Sequence, residues 1–243
     1  MRWADRHAHR RTDRVRLTGR QWLGLVVFAA VAVVVAFGVG PVREPHPVPA
    51  AQVDAARRAF DGLRVIGARP PHDSGYQREA FGSAWTDDTQ AAGAGNGCDT
   101  RNDILARDVR VSGLTSASTC PRAVAAGVLT SPYTGRPVVF ERGRGSSAIQ
   151  IDHIVPLSYA WDMGASRWDA DRRATFANDP SNLVAVDGAS NQTKSDAEPA
   201  RWMPTLRSFH CQYAVQFVTV LARYGLPVDA PSKTALGRAL ESC

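Results

Sequence analysis

IQIDHIVPLSYAW, residues 149–161, sets an acid and a histidine side by side in an apolar, strand-like run. Ile149, Ile151, Ile154 and Val155 flank Asp152 and His153, and Pro156 ends the run. Burying a charge without a partner is costly, so polar groups placed here need a compensating structure or a task. The same anomaly recurs downstream. Asn182 opens a second short strand, NLVAV (182–186), after which Asp187-Gly188 turns the chain and ASNQTKSD enters a helix. Asn191 and Lys194 lie three positions apart in that helix and so share a face. Two strands and a helix can thus bring Asp152, His153, Asn182, Asn191 and Lys194 to one metal ion. Neighbouring strand residues point to opposite sides. Asp152 and His153 can therefore share a site only if the strand ends or bulges there, and Pro156 is the residue that would stop it.

The chemistry that uses such a set is metal-assisted phosphodiester hydrolysis. A carboxylate and an amide oxygen suit Mg²⁺, a hard cation that prefers oxygen and keeps several waters. The ion stabilises charge developing on the phosphate and the leaving oxygen. A neutral imidazole serves as base toward the attacking water, and a lysine offers a point charge to a phosphate oxygen. Lysine is scarce here: the chain has 29 Lys and Arg in total, of which only Lys194 and Lys233 are lysine.

Composition and charge bound the rest. At 243 residues, 44% hydrophobic and 21% charged, the chain has room for one catalytic-size domain plus an accessory segment. The net charge of +6 invites a nucleic-acid partner, but seven arginines against two aspartates in residues 1–20 account for +5 of it. The basicity belongs to the tail and says little about the domain's substrate. Trp22–Gly40 then runs for 19 uncharged residues. As a helix this would span roughly 28 Å, close to a bilayer's hydrocarbon core. The Arg-rich flank would stay cytoplasmic and the remainder would lie outside. A long charged flank and a long apolar run favour an uncleaved signal-anchor, while Val48-Pro49-Ala50 leaves a cleaved signal peptide, and hence a secreted form, open. The expected organisation is a basic tail (1–20), a transmembrane helix (21–40), a Pro-rich linker (41–51) and one domain (52–243).

Within that domain, 51–67 and 211–226 read as helices, 75–86 as a helix with an aromatic face, and 157–178 as helical. PVVFERG (137–143) and AIQIDHIVP (148–156) read as the two strands of a hairpin across a basic loop holding Arg142 and Arg144. SPYTG (131–135) is a turn. Four cysteines, Cys98, Cys120, Cys211 and Cys243, fit an oxidising compartment. No C-x-x-C pair is present, which argues against zinc. The favoured pairing is Cys98–Cys120 with Cys211–Cys243, since each joins neighbouring segments.

DHIVP…N-L-x-x-V…N-x-x-K-S-D resembles the ββα-metal motif of HNH endonucleases, spanning about 137–198 here. The likeness is closest to secreted or membrane-anchored bacterial proteins related to the C-terminal nuclease domain of GmrSD restriction enzymes. It extends through GCDTRNDIL, PYTG, FANDPSNLVAVDGASNQTKSD and the closing C-Q-Y and terminal Cys, over about residues 75–243. The resemblance implies an α+β nuclease core with a helical surround. It makes Asp152 a metal ligand, His153 the general base, Asn182 the residue holding the histidine loop, and Asn191 the second protein ligand. Asn191 stands where the family's last histidine usually falls, which shifts the expected ion to Mg²⁺, with Mn²⁺ an alternative and Zn²⁺ disfavoured. The insertion at 157–181 departs from a minimal motif. Lys194, Arg101, Arg142 and Arg144 are the candidate phosphate contacts, with ion pairing or plain solvation as the competing readings. The resulting expectation is a hydrolase cutting DNA rather than RNA with little sequence specificity. A broad phosphodiesterase and a catalytically inactive binding domain are the rivals. No protein partner is readable.

Overall fold

The computed structural model describes residues 48–243. The basic tail, the apolar run at 21–40 and most of the Pro-rich linker lie outside the described residues. Among the described residues no helix is long and apolar enough to cross a membrane.

The fold is α+β, with seven α-helices and three small sheets among the described residues. In chain order the elements are α1 (Ala50–Gly62), β1 (Val65–Ile66), α2 (Thr100–Asp108), β2 (Arg110–Ala117), β3 (Cys120–Thr130), β4 (Pro137–Glu141), β5 (Ile149–His153), α3 (Leu157–Asp162), α4 (Ala170–Asn178), β6 (Leu183–Asp187), α5 (Gly188–Lys194), α6 (His210–Tyr224), β7 (Val228–Asp229) and α7 (Ala230–Glu241). β2, β3 and β4 form an antiparallel meander. β5 pairs antiparallel with β6, and β1 pairs parallel with β7.

The hairpin expected between 137–143 and 148–156 does not form. β4 pairs with β3, and β5 takes β6 as its partner. Gly143 and Gly145, both in the left-handed region at φ 84° and 81°, and a 3₁₀ turn at Ser146–Ala148 lead the chain away between the two strands. β5 needs a neighbour that is apolar on both faces, and Leu183-Val184-Ala185-Val186 supplies one. The helix expected at 75–86 shrinks to a 3₁₀ turn at Arg78–Phe81, because Gly82 (φ 86°) and Trp85 (φ 61°) take left-handed backbone that no helix continues through. The helical stretch 157–178 is two helices, broken at Gly164 (φ 129°). Asn182 lies in a 3₁₀ turn at Pro180–Asn182, one residue before β6.

Two apolar clusters hold the β5–β6 hairpin between them. On one side are Ile104, Leu105, Val109, Val124 and Phe140 from α2 and the meander, meeting Ile149, Ile151, Leu183 and Ala185. On the other, Val184 and Val186 join the buried face of α6, with Phe217, Val218 and Leu221 among its members. The period-2 alternation of the strands sorts their side chains between the clusters. The hairpin's edges are also tied down. Arg107 donates to the carbonyls of Leu183 (2.7 Å) and Pro180 (2.8 Å), and the Ala185 amide donates to Asp108 (2.8 Å). These bonds occupy backbone groups that an exposed strand edge would leave open.

The favoured cysteine pairing is the one the structure makes: Cys98–Cys120 fastens the loop before α2 to the start of β3, and Cys211–Cys243 fastens α6 to the last residue of the sequence. The second closes a span of 32 positions. In the chain-entropy view a loop of that size is worth about 3–4 kcal/mol. A Cys211→Ser/Cys243→Ser variant should lose about that much stability in a denaturant titration, with the β5–β6 region still folded.

Candidate active site

β5 keeps strict alternation up to its last residue. Gln150 and Asp152 face one side, opposite Val186 and Val184; Ile151 and His153 face the other, opposite Ala185 and Leu183. There is no bulge. The strand ends at His153, so both faces border one cleft of about 350 Å³ whose lining includes Asp152, His153, Asn191, Pro156 and Arg78. Of the two ways to unite the neighbours, the strand's end is the one used.

α5 packs on the Gln150/Asp152 face, and its i, i+3 pair matches the strand's i, i+2 pair. Asn191 Nδ2 donates to Gln150 Oε1 at 2.8 Å. Lys194 Nζ donates to Asp152 Oδ1 at 3.1 Å, lies 2.9 Å from Oδ2, and donates to the His153 carbonyl at 2.8 Å. Lys194 is fully buried, at 0% exposure. It was expected at a phosphate; here its ammonium is spent on Asp152 and the strand end. Asp187, the last residue of β6, caps α5 by accepting from the Ser190 amide at 2.8 Å and also accepts from Ser131 Oγ at 2.6 Å. Those bonds hold the Asp187 carboxyl below its ordinary range despite the opposing effect of burial.

The SPYTG turn reaches the site as well. Tyr133 Oη donates a short hydrogen bond to Asp152 Oδ2. Burial, followed by the Asp152 charge, pushes the Tyr133 phenol well above its usual value, so it remains a donor. Asp152 thus receives both a phenol and an ammonium, the compensation that a buried carboxylate requires.

His153 sits on the other face. Its Nε2 is 2.9 Å from the Ala177 carbonyl. A carbonyl only accepts, so Nε2 carries the ring proton and Nδ1 holds the lone pair. Trp85 stacks on the imidazole, with centroids 5.6 Å apart and planes 12° from parallel. Burial is the main reason that the His153 pKa falls to about 3; Arg78 and Lys194 add to the fall, and the bond to Ala177 opposes it. The ring is neutral at any ordinary pH.

Asn182 is fully buried and holds the turn after His153. Its Oδ1 accepts from the Val155 amide at 2.8 Å, its Nδ2 donates to the Val155 carbonyl at 3.3 Å, and its own carbonyl accepts from the Ile154 amide at 2.7 Å. These bonds pin the two residues between His153 and Pro156.

The arginines picked from the sequence lie elsewhere. Arg101 donates to the Ser146 and Ile149 carbonyls at 2.9 and 3.0 Å, tying α2 to the start of β5. Arg142 donates to the Val124 carbonyl at 2.8 Å and to Asn102. Arg144 is exposed on the loop before β5. None of the three lines the cleft; Arg78, exposed at its rim, does. Sequence reading also missed Tyr133 and Trp85. Tyr133 sat in a turn motif whose side chain carried no periodic signal, and Trp85 was read as one of an aromatic helix face.

Among the described residues no group of three or more His, Cys, Asp or Glu side chains is placed to hold a metal. A cation in the cleft would depend on one carboxylate and one amide, Asp152 and Asn191. The Asn191 NH₂ is committed to Gln150, which leaves the amide oxygen available. Both Asp152 oxygens already accept from Lys194 or Tyr133, so a cation would share them through a remaining lone pair; as donors, a carboxylate and an amide oxygen suit Mg²⁺ better than a nitrogen- or sulfur-preferring ion.

Two outcomes follow from this electrostatic arrangement. Lys194→Met leaves Asp152 buried without its cation and should cost about 3–5 kcal/mol in a urea titration at neutral pH. For His153, the unfolded chain takes up a proton near pH 6.5 and the folded chain only near pH 3. The histidine's contribution is therefore complete above pH 6.5 and is lost as pH falls through that window, at about 1.4 kcal/mol per pH unit. A His153→Gln variant should show a flatter stability profile from pH 6.5 down to about 5, above the range where the stabilisation from the depressed carboxylates Asp179, Asp187 and Asp196 begins to be lost.

The family model for "GmrSD restriction endonucleases, C-terminal domain" matches residues 99–239, from the cap of α2 to the last turns of α7. A protein described as "Uncharacterized secreted protein" from Arthroderma benhamiae is 36% identical over 224 residues, covering 90% of this chain and 98% of that protein. No solved structure matches. A hairpin and helix that join an acid, a histidine and an asparagine at one cleft lie wholly inside the matched region, and the chain belongs to the family of GmrSD restriction endonuclease C-terminal domains, an HNH-related nuclease domain.

Proposed function

We propose that the domain is a metal-dependent endonuclease that hydrolyses phosphodiester bonds of DNA with little sequence specificity. The observation that carries this reading is the His153 ring: it is held neutral, oriented by the Ala177 carbonyl through Nε2, and left with its Nδ1 lone pair at a strand end that borders the cleft. That is the state needed by a base that takes a proton from an attacking water. Asp152 and Asn191 are the proposed protein ligands of one divalent ion, Mg²⁺ or Mn²⁺. Such an ion, when bound, supplies charge stabilisation to the scissile phosphate and the leaving oxygen.

The remaining roles fall to the chain's own groups. Asn182 fixes the backbone that carries His153, so the base arrives already oriented. Tyr133 and Lys194 hold the Asp152 carboxyl group in place, the second layer on which a ligand carboxylate depends. Arg78 is the proposed phosphate contact, in the part first assigned to Arg101, Arg142, Arg144 and Lys194. It is exposed and close enough to His153 to disfavour its protonation. The two disulfides and the name of the Arthroderma benhamiae relative support an extracytoplasmic site of action. Anchoring through residues 21–40 remains part of the proposal.

Purified protein should nick and then degrade plasmid DNA in Mg²⁺ or Mn²⁺, and EDTA should abolish the cutting. His153→Ala should slow the reaction about 100-fold or more, in keeping with the loss of a general base. Cutting by His153→Ala at the wild-type rate would refute the mechanism.

A further inference from the structure

Beside the cleft lies a second, mainly apolar pocket of about 220 Å³. Phe81, Trp85, Leu157 and Ala177 line it, and it shares His153, Leu157 and Arg78 with the cleft. We infer that this pocket receives one unpaired base of the substrate next to the phosphate at His153, so that the preferred substrate is single-stranded DNA. The inference rests on the nuclease reading and adds a substrate class to it.

Four observations support the assignment. The pocket and the cleft share Arg78, His153 and Leu157 in their walls, so the pocket's occupant and the reacting phosphate would be neighbours. Its inner lining, Phe81, Trp85, Leu157 and Ala177, is aromatic and aliphatic and suits the π-face of a base, while Arg78, the proposed phosphate contact, stands where pocket and cleft meet. Of the polar side chains in the wall, Asn178 is already satisfied: its Oδ1 accepts from Thr100 Oγ1 at 3.0 Å, and its Nδ2 donates to the Ala174 carbonyl at 2.9 Å. A base there would be held by contact and stacking rather than by hydrogen-bonded readout, so every base is acceptable. Finally, Trp85 is kept in left-handed backbone (φ 61°), with its carbonyl accepting from the Thr100 amide at 3.0 Å. A bulky residue adopts that conformation only where the surroundings impose it, and here the result is an indole laid against the histidine at the pocket's mouth. A base paired and stacked inside a duplex cannot enter; one in a single strand can, without the cost of extrusion.

The test uses the full chain with Mg²⁺ and three labelled substrates: a single-stranded oligodeoxynucleotide, the same strand annealed to its complement, and the same strand with one central tetrahydrofuran abasic residue. The single strand should be cut at least about tenfold faster than the duplex, the size expected for losing one stacked base. Cutting at a linkage beside the abasic residue should fall by a similar factor, while distant linkages are unaffected. Ala84→Phe, which places a ring at the exposed rim of the pocket, should lower single-strand cutting toward the abasic level. Equal rates on single strand and duplex, with undiminished cutting beside the abasic residue, would overturn the pocket assignment and leave the nuclease reading intact. Failure of the wild-type protein to cut any of the three substrates would overturn both.

Discussion

The buried ion pair between Asp152 and Lys194 organises this domain's centre. Removing both charges from water carries a large penalty, and the structure offsets it with close geometry and further bonds: Tyr133 on the second carboxylate oxygen, and the His153 carbonyl on the ammonium. Because each partner sits on a different element, the pair also sets positions. It locks α5 onto β5, and in doing so places Asn191 over Gln150 one turn earlier. It draws in the turn bearing Tyr133, which Ser131 fastens to the cap of α5 through Asp187. Strand, turn and helix are thereby referenced to one carboxylate.

A second division of labour follows from strand geometry. Adjacent residues of β5 face opposite sides, and the protein leaves that rule unbroken. Asp152 belongs to the side of α5 and α6, and His153 to the side of α4, with Ala177 and Trp85. The two meet because the strand stops: after a last backbone bond from the Ile154 amide to the Asn182 carbonyl, the Asn182 side chain takes up the amide and the carbonyl of Val155. An asparagine can do this with one side chain, since its amide both donates and accepts. The electrostatic consequence is that charge and basicity occupy different faces. The charged pair is paired internally, and the imidazole is kept neutral by burial and by nearby cations.

Much of this was legible in residues 149–194. The polar positions that interrupt an apolar pattern, Asp152, His153, Asn182, Asn191 and Lys194, are the ones brought to the cleft or to its immediate support. The cysteine pairing also followed from neighbourhood along the chain. The arginines were harder. A guanidinium in a loop or helix looks the same in sequence whether it meets phosphate or backbone, and Arg101 and Arg142 turn out to satisfy carbonyls. Strand partners were misjudged for a related reason: a short loop suggests a hairpin, but pairing is decided by which strand is apolar on the faces that need covering. Tyr133 gave no periodic signal and the helical spacing of Trp85 misled, because both lie in irregular segments.

The sequence by itself determined the local chemistry: a carboxylate and an imidazole at a strand end, an amide and an amine one helical turn apart, and a covalent frame for the domain. Periodicity and residue type suffice for these because each is a property of a few adjacent positions. The tertiary structure alone decided that Lys194 faces Asp152, that Tyr133 completes the pair, that Arg78 and Trp85 border the cleft, and that β5 finds β6. Those outcomes depend on contacts between residues far apart in the chain, where burial and the need to satisfy every enclosed charge select one arrangement among many that the local pattern allows.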